Sequence, residues 1–481
     1  MSQTVSRTVS QTVSRAVSEA GSRTGSQIGS RTVSQRLAAE IAAIGAGGPG
    51  DAADGAFARA CLDYVTCALI GARLPVTEAT LRHFAATDAG RQATLIGREE
   101  QLSPASAAFV NATAAHGLDF DDGHTQAGGH PGVAVFPAVF AVAEQPGSGP
   151  EEVIRAVVAG YQGMVRVARM MHPRSARTGW HNTAVAGTFG ATAAVAVLHR
   201  LDADRIAHAF GLAGSFAGGL LEFLADGPDS KRLHPGMAAR DGIACAGLAA
   251  EGLTGPAAVF EGRHGVFNAF IAGEGDTSTL EAPGLAIEGA YFKLYPCCRH
   301  YHAAIDGLLD LRQGLADPLA QVAGVELGLY GVAVRGHDHT TAETLLSAQM
   351  SAPIAAGLAL VDGAVSVAGF APESLRRDAL AEMVGRVRMR VDPTCEAEYP
   401  GCRSAHVALE LADGRRLEAR IRDPRGEGAN PLSDADLDAK FMANGAPILG
   451  EDRAAAARAL IHGFRDAPDA PGRLLRLLAP G

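Results

Sequence analysis

The sequence predicts a mainly α fold: an all-helical domain with an inserted α+β lid domain. Apolar residues recur at helical spacing from Arg36 onward. Strand-like alternation begins only after about residue 280, and helical spacing returns after Pro431. We therefore divide the chain into a disordered Ser-repeat tail (1–35), a helical domain (36–278), an α+β lid domain (279–426) and C-terminal helices that return to the helical domain (427–481).

The helical domain is predicted to contain long helices with Gly and Pro at the joints between them. In the first of these helices, Ala58, Cys61, Leu62 and Val65 fall on one apolar face. Aromatic residues make up only 5% of the chain, so the core must pack on Ala, Val, Leu and Gly. The predicted helices span residues 57–70, 105–116, 133–144, 151–171, 183–199, 203–224 and 236–252.

The predicted lid domain combines strands with helices. Val325, Leu327 and Leu329 alternate with polar or small residues, as in a half-buried strand. Two further alternating runs flank Asp413-Gly414, which is a strong hairpin signal. The other predicted elements are a strand at 387–391, helices at 302–312, 342–360 and 372–384, and C-terminal helices at 434–441, capped by Ser433, and 452–464.

The charge balance excludes several kinds of partner. The sequence has 42 Lys+Arg against 52 Asp+Glu, a formal net charge of −10. This balance argues against nucleic acid, which requires a basic surface, and against docking on an anionic membrane. No uninterrupted run of about 18 apolar residues occurs, so no transmembrane helix is expected.

The cysteines and the N-terminal segment bear on the location of the protein. Seven cysteines without a Cys-x-x-Cys pair favour reduced thiols and a cytoplasmic protein. Serine recurs at every fourth position up to Ser34, and arginine at every eighth from Arg7 to Arg31. Because Ser, Thr, Val and Gly are weak helix formers, a disordered tail is expected. The alternative interpretation of this segment is a mitochondrial transit peptide, since it is rich in Arg and Ser and poor in acidic residues, and the protein would then be mitochondrial.

The densest group of ionisable residues follows the helix predicted at 105–116, and such density in a loop is typical of functional sites. Since Asp and His are metal ligands, one interpretation is a divalent metal site, although no standard ligand spacing is present. A second is metal-free acid–base chemistry in which a carboxylate orients a histidine. In a third, Asp119 and Asp122 cap helices and the histidines are solvated. The group consists of His116, Asp119, Asp121, Asp122, His124 and His130.

Three further polar clusters lie directly before predicted helices. His181 precedes the helix at 183–199, whose dipole favours a neutral imidazole that can act as a base, although packing on Trp180 is the structural alternative. Two basic clusters comprise Lys231, Arg232 and His234, and Lys293, Arg299 and His302. Cationic side chains at helix N-termini bind anions. Together these clusters predict a small polyanionic ligand such as a di- or tricarboxylate.

Several signatures are missing from the sequence. There is no Gly-x-Gly-x-x-Gly after a strand, no P-loop and no Gly-x-Ser-x-Gly, so these dinucleotide, nucleotide and hydrolase motifs give no support. The adjacent Cys297 and Cys298 match no redox or metal-ligand spacing, so we interpret them as packing residues. His337 and His339 belong to a weakly spaced polar group that we interpret as a solvated loop.

The four clusters, in this order, resemble the MmgE/PrpD family, and the likeness covers about residues 36–465. The stretches that carry the resemblance are AHGLDFDD (115–122) with His130-Pro131, GWHNT (179–183), KRLHPG (231–236) and KLYPCCR (293–299). The family includes 2-methylcitrate dehydratases, cis-aconitate decarboxylases and iminodisuccinate epimerases, which need no metal or organic cofactor and are usually dimeric. The resemblance implies Asp119, His130, His181, Lys231 and Lys293 as catalytic residues, and Arg232, His234, Arg299 and His302 as substrate-binding residues. The chain departs from the family's decarboxylases at Gly123, where they carry Thr.

The expected function is a cofactor-independent lyase on a small di- or tricarboxylate, either 2-methylcitrate dehydratase-like or cis-aconitate decarboxylase-like. The cations would hold carboxylates and stabilise the developing charge. His181 or His130 would move the proton, with Asp119 orienting a histidine. We expect a homodimer without metal or cofactor. The alternatives are an epimerase of a dicarboxylate such as iminodisuccinate and a non-catalytic carboxylate-binding protein.

Overall fold

A computed structural model of the protein describes residues 31–47, 51–145, 147–225 and 227–480. Residues 1–30 of the predicted tail lie outside these ranges. The first described helix begins at Val33, so the last residues of the predicted tail are helical.

Helices dominate the first part of the chain, which confirms the predicted mainly α fold. Two short antiparallel strands, β1 (Ala93–Thr94) and β2 (Gln101–Leu102), were not predicted, since two-residue strands are too short to show alternation. The helices are α1 (Val33–Gly47), α2 (Asp51–Gly71), α3 (Pro75–Thr87), α4 (Pro104–Ala115), α5 (Gly132–Ala143), α6 (Pro150–Met171), α7 (Arg174–Arg177), α8 (Asn182–Leu198), α9 (Ala203–Phe216), α10 (Ser230–Ala250) and α11 (Val266–Ile271).

The centre of this helical part is formed by α6, α8 and α10, which pack closely through small residues. All residues of α8 from Asn182 to Val197 are buried. A Cβ on Gly190 in α8 would lie only 2.6 Å from the Cβ of Met164 in α6, and a Cβ on Gly242 in α10 would overlap Ala191. Close approach of the backbones thus fills the interior in place of aromatic rings.

The second part of the chain builds its own hydrophobic core, which draws on residues between Tyr295 and Leu411. Its elements are α12 (His302–Arg312), α13 (Pro318–Gln321), β3 (Val322–Leu329), α14 (Gly331–Val334), α15 (Leu345–Gln349), α16 (Ala352–Asp362), α17 (Pro372–Leu375), α18 (Asp378–Gly385), β4 (Val387–Val391), α19 (Pro393–Glu398), β5 (Ala405–Leu411) and β6 (Arg416–Ile421). The strands form one sheet in the order β4-β3-β5-β6, with β3 parallel to β4 and the other pairs antiparallel. The predicted hairpin is present between β5 and β6, where Gly414 has a φ of 86° that favours glycine.

The C-terminal helices α20 (Asp434–Leu449), α21 (Glu451–His462) and α22 (Ala470–Leu478) return to the helical part. Phe441 and Leu474 join the first hydrophobic core, and α20 packs against α2. Ser433 caps α20 as predicted, since its hydroxyl accepts the N–H of Asp436 at 3.1 Å. The exact domain boundaries stay a prediction.

Several helices have boundaries that differ from those predicted. α2 begins at Asp51 rather than at residue 57, and α9 ends at Phe216 rather than at residue 224. α20 extends to Leu449 rather than to residue 441, and the helix predicted at 372–384 is divided into α17 and α18. α10 begins at Ser230 rather than Gly236, so the basic cluster at 231–234 lies in its first turns instead of before it. The helix predicted at 342–360 is split into α15 and α16. The split occurs because Ser351 caps α16, with its hydroxyl accepting the N–H of Ile354 at 3.1 Å.

Among the described residues, no single helix is both long and apolar enough to cross a bilayer. Residues Ala53–Gly71 and Pro75–Thr87 meet that criterion only as a pair, and they are bent by 84° relative to each other.

Candidate active site

Asp119 lies at the centre of the site, in the loop between α4 and α5, and is buried. Its carboxylate forms an ion pair with the ammonium of Lys231 and has Oδ1 3.1 Å from Nζ of Lys293. Lys293 Nζ also donates a hydrogen bond of 2.8 Å to the backbone carbonyl of Asp119. Three segments therefore meet at one carboxylate: this loop, the first turn of α10 and the chain before α12.

The two ammonium groups keep Asp119 charged. Burial alone would raise the pKa of Asp119, but Lys231 and Lys293 hold it well below its usual range. Burial alone would lower the pKa of Lys293, and Asp119 raises it above its ordinary value. Asp119 also adopts a left-handed φ of 51°, a conformation that costs about 1–3 kcal/mol in a residue other than glycine. The lysine contacts offset that strain.

A second carboxylate, Asp121, holds two histidines. Its Oδ2 lies 3.0 Å from Nδ1 of His116 and 3.0 Å from Nδ1 of His130. The prediction that Asp119 orients a histidine is therefore wrong, because Asp119 pairs with lysines and Asp121 takes that part. The interpretation of His116 as a solvated residue is also wrong, since it is buried.

These contacts fix which nitrogen of each imidazole faces the site. His130 Nδ1 donates to the backbone carbonyl of Asp122 at 2.6 Å, so the neutral ring carries its lone pair on Nε2. His116 Nε2 is buried and has no hydrogen-bond partner among the described residues. Burial lowers the pKa of His116 to about 4, so this imidazole is neutral at neutral pH. Lys231 is close enough to contribute to that lowering.

His181 and His234 form a second imidazole pair at the start of α8. Their Nδ1 atoms lie 2.8 Å apart, so one nitrogen carries the proton and the other accepts it. Burial lowers the pKa of His181 well below its usual value and that of His234 to about 4. The rings of His181 and His116 lie 6.2 Å apart between centroids, which links the two imidazole pairs. The structure thus brings the predicted catalytic residues into one connected group.

The remaining predicted substrate-binding residues have partners of their own. Arg232 donates to Asp229 at 2.8 Å. Arg299 donates to Glu427 at 3.2 Å, and its Nη1 lies 3.0 Å from Nδ1 of His302. One nitrogen of each guanidinium, Nη2 of Arg232 and Nε of Arg299, is buried without a partner among the described residues. Because a buried unpaired donor is costly, these nitrogens suit an anionic ligand group.

Lys440, in α20, was missed by the sequence prediction. Its Nζ donates to Asp63 at 2.7 Å and to the carbonyls of Phe120 and Lys293 at 2.9 Å each. It thereby fixes both the loop after α4 and the segment before α12. The sequence contains only three lysines, and all three are buried: Lys231, Lys293 and Lys440. This scarcity is the signal that would have identified Lys440.

Asp122 and Gln349 support the same loop from two sides. Asp122 accepts the N–H of Gly132, the first residue of α5, at 3.0 Å, in keeping with the capping interpretation. Its other oxygen accepts the hydroxyl of Tyr161 at 2.7 Å. Gln349 Nε2 donates to the carbonyl of Leu118 at 2.5 Å. The main chain on either side of Asp119 is therefore held by buried side chains.

Within the part of the chain that the structure describes, one group of residues is arranged so that it could hold a metal ion. His116, Asp121 and His130 each place one potential ligand atom within 4.8 Å of the others. In the structure, Nδ1 of His116 and Nδ1 of His130 both contact the carboxylate of Asp121. The expectation that no metal takes part stays a prediction.

The site combines two kinds of chemical group. Buried ammonium groups on Asp119 stabilise negative charge, and neutral buried imidazoles accept and deliver protons. A helical protein with such a site is equipped for proton transfer next to a substrate carboxylate.

Comparison with known proteins gives the class of the protein. Residues 35–278 match the MmgE/PrpD N-terminal domain, and residues 295–465 match the MmgE/PrpD C-terminal domain. The chain therefore belongs to the MmgE/PrpD family.

Curated relatives resemble the chain along most of its length. It is 27% identical over 424 residues to the cis-aconitate decarboxylase-like protein oryM of Aspergillus oryzae, an alignment that covers 82% of this chain and 86% of that protein. It is 26% identical over 429 residues to the cis-aconitate decarboxylase of Homo sapiens, covering 85% and 87%. It is 25% identical over 421 residues to that of Aspergillus terreus, covering 82% and 85%.

Proposed function

We propose that the chain is a cofactor-independent lyase that acts on a small di- or tricarboxylate, with decarboxylation of cis-aconitate as the first candidate reaction. The observation that carries the proposal is the pairing of Lys231 and Lys293 on Asp119, beside neutral buried histidines. The relatives support it, because they are named for cis-aconitate decarboxylation, which is a lyase reaction.

The two lysines supply the positive charge that decarboxylation requires. When CO2 leaves, the electron pair of the broken C–C bond stays on the remaining substrate. Ammonium groups that are already in place stabilise this charge without reorganisation. Lys231 and Lys293 are held by Asp119 in the absence of substrate and exchange part of that contact for a substrate carboxylate.

A histidine delivers a proton to the carbon that has lost CO2. Asp121 and the backbone carbonyl of Asp122 both contact Nδ1 of His130, which leaves Nε2 to donate the proton. His181 has a pKa well below its usual value because of burial, so it stays neutral and suits the part of a base. Decarboxylation uses only the proton donor, whereas dehydration and epimerisation also need the base that removes a proton from carbon.

Dehydration of a 2-methylcitrate-type substrate is the second candidate, and Gly123 favours it. The Gly123 and Tyr291 backbones exchange hydrogen bonds of 3.0 and 2.8 Å. A Cβ on Gly123 would overlap the Tyr291 hydroxyl, so this phenol stands where the decarboxylases of the family place Thr. Burial raises the pKa of Tyr291 and keeps it protonated. Dehydration needs such an acid for the departing hydroxide.

A substrate panel decides between these reactions. Purified, EDTA-treated protein is incubated with cis-aconitate, 2-methylcitrate or iminodisuccinate, and each is followed by NMR. Loss of CO2 from cis-aconitate is the expected result, and loss of water from 2-methylcitrate supports the second candidate. Deuterium exchange at the α-carbon without either loss favours the epimerase alternative. Turnover of none of the three contradicts the proposal, and thermal stabilisation by tricarboxylates then favours a binding protein.

Two variants and a control connect turnover to the site. Lys231→Met and Lys293→Met each remove one ammonium group and are expected to lower kcat about a hundredfold or more. Arg416→Met removes an exposed cation on the β-sheet and is expected to leave kcat unchanged. If all three substitutions lowered kcat equally, the loss would come from the change in net charge of the protein and not from this site.

We also propose that the enzyme is a cytoplasmic homodimer. Light scattering of the purified chain measures its mass in solution, and fractionation of the source cells locates it.

A further inference from the structure

The neighbouring cysteines Cys297 and Cys298, expected to be packing residues, differ in their surroundings. Cys297 is buried, and its Sγ lies 3.7 Å from Nε2 of His302. Cys298 is only partly buried, and its Sγ lies 3.2 Å from Nε2 of His337. His337 itself is buried, so the expectation of a solvated loop at this residue is wrong. The second thiol is therefore both the more accessible and the more closely paired.

The charges of this pair reinforce each other. Burial alone would raise the pKa of Cys298, but His337 lowers it below its usual value. Burial alone would lower the pKa of His337, but Cys298 raises it above its usual value. Both shifts are those of a thiolate beside an imidazolium. The other titratable groups that face Cys298 are Lys293, Asp119, Cys297, Tyr301 and Tyr330. The ring of His300 faces His337, with 5.7 Å between the ring centroids.

None of the other six cysteines shares this environment. All six are buried, and burial raises the pKa of each, for example to about 12 for Cys245. The six are Cys61, Cys67, Cys245, Cys297, Cys395 and Cys402. A protonated buried thiol is inert, whereas an accessible thiolate is a nucleophile.

Cys298 also adjoins the Asp119 site. Lys293 and Cys298 are close enough that Cys298 contributes to the raised pKa of Lys293. The backbone N–H of Cys298 donates to the carbonyl of Gln349 at 3.0 Å, and Gln349 in turn holds Leu118 beside Asp119. A small anion drawn to Lys293 would therefore approach the Cys298 sulfur.

We propose that Cys298 and His337 form a reactive thiolate–imidazolium pair beside the Lys293–Asp119 site, and that it is modified by small electrophiles that carry a carboxylate. With iodoacetate, the thiolate forms a C–S bond and iodide leaves with the electron pair of the C–I bond. With an α,β-unsaturated carboxylate, the thiolate adds to the β-carbon, and the α-carbon takes the proton of the His337 imidazolium. Neither step needs an oxidant or a prior turnover of substrate.

The test is site-resolved alkylation of the native full-length chain at pH 7, quantified for every cysteine by peptide mass spectrometry. An ordinary thiol is only about 3% ionised at this pH, so Cys298 is expected to react about tenfold or more faster than Cys297. Iodoacetate is expected to match or exceed iodoacetamide at Cys298, because Lys293 attracts the carboxylate. In urea-unfolded protein, Cys298 and Cys297 are expected to react at similar rates, and the preference of Cys298 for iodoacetate is expected to disappear.

Two variants identify the cause of the reactivity. His337→Gln is expected to slow alkylation of Cys298 about tenfold at pH 6.5 and to make the rate rise with pH like that of a free thiol. Cys297→Ser is the matched control and is expected to leave the rate at Cys298 unchanged. Alkylation of Cys298 no faster than of Cys297 would overturn the proposal, as would a native rate that follows an ordinary thiol pKa. The pH dependence of the native rate is measured on the unmodified chain, so the proposal stays testable even if His337→Gln does not fold.

Discussion

Positive charge is placed differently in the interior site and on the β-sheet. In the interior, Lys440 lies 2.7 Å from Asp63, and its side chain is 4% exposed. On the sheet, Arg416 lies 3.2 Å from Glu326, and its side chain is 39% exposed. The separations are similar, but water screens the second pair and not the first. The comparison teaches that the surroundings of an ion pair, and not its length, decide what its loss would cost.

The type of cation follows the same division. All three lysines lie in the interior site, while the cations that pair on the sheet are arginines such as Arg390 and Arg416. An ammonium is a compact charge that fits between one carboxylate and nearby carbonyls, as Lys293 does at Asp119. A guanidinium spreads its charge over a plane and bridges several exposed acids.

The largest effect is expected from Asp119→Asn. The substitution leaves Lys231 and Lys293 without a carboxylate partner and misplaces both, so kcat/KM for the substrate identified by the panel should fall about a hundredfold or more. Glu326→Gln, which removes the sheet carboxylate, is the matched control and should leave kcat/KM unchanged. An active Asp119→Asn enzyme would show that the paired lysines do not carry the reaction.

Lys440→Met should produce the largest loss of stability. Asp63 is buried, and removing its partner leaves an uncompensated buried carboxylate, which costs about 3–5 kcal/mol in the free energy of unfolding. Urea unfolding measures the change. The double variant Lys440→Met/Asp63→Leu should recover most of the loss, because an apolar pair of similar volume replaces the charged one. A double variant as unstable as the single one would contradict this account.

The buried histidines predict how stability depends on pH. His116 and His234 have pKa values of about 4 in the folded protein against 6.5 for an ordinary imidazole. As the pH falls from 6.5 towards 4, the unfolded chain binds protons that the folded chain does not, so the free energy of unfolding falls. Each histidine contributes at most about 1.4 kcal/mol per pH unit, and the stabilisation is fully retained above pH 6.5. Unfolding in urea between pH 4.5 and 7.5 should show a shallower slope in His116→Gln than in the parent chain.

The smallest effect is expected at the exposed sheet. Glu326 accepts from Arg390 on the neighbouring strand β4 at 3.0 Å and from Arg416 on β6, two strands away, at 3.2 Å. Glu326→Gln should lower the free energy of unfolding by only about 1 kcal/mol or less. The difference should shrink further in about 1 M salt, where screening acts over about 3 Å. A loss as large as that of Lys440→Met would contradict the distinction between the two regions.

Much of the fold could be predicted because local patterns determine it. The helix at 302–312 was placed at the observed residues, since its apolar spacing is regular and its ends are polar. The hairpin at Asp413-Gly414 depends on a turn that only a few residue pairs form. The start of α10 was missed, because Pro235 suggested a helix boundary, whereas the chain continues as a helix through it.

The sequence could predict which residues lie in the site, but it could not predict which residue contacts which. The clustered Lys231, Lys293 and Asp119 do come together in the structure. Which carboxylate would serve the histidines depends on the backbone of the loop, where the left-handed φ of Asp119 directs neighbouring side chains to different partners. Lys440 reaches the site from a distant helix, and no local pattern encodes such packing.

The burial of every lysine has a practical consequence for handling the protein. Reagents that couple to exposed primary amines have no accessible lysine to attack in the folded chain, since Lys231, Lys293 and Lys440 are all enclosed. Immobilisation or dye labelling through lysine would therefore report that the interior has opened.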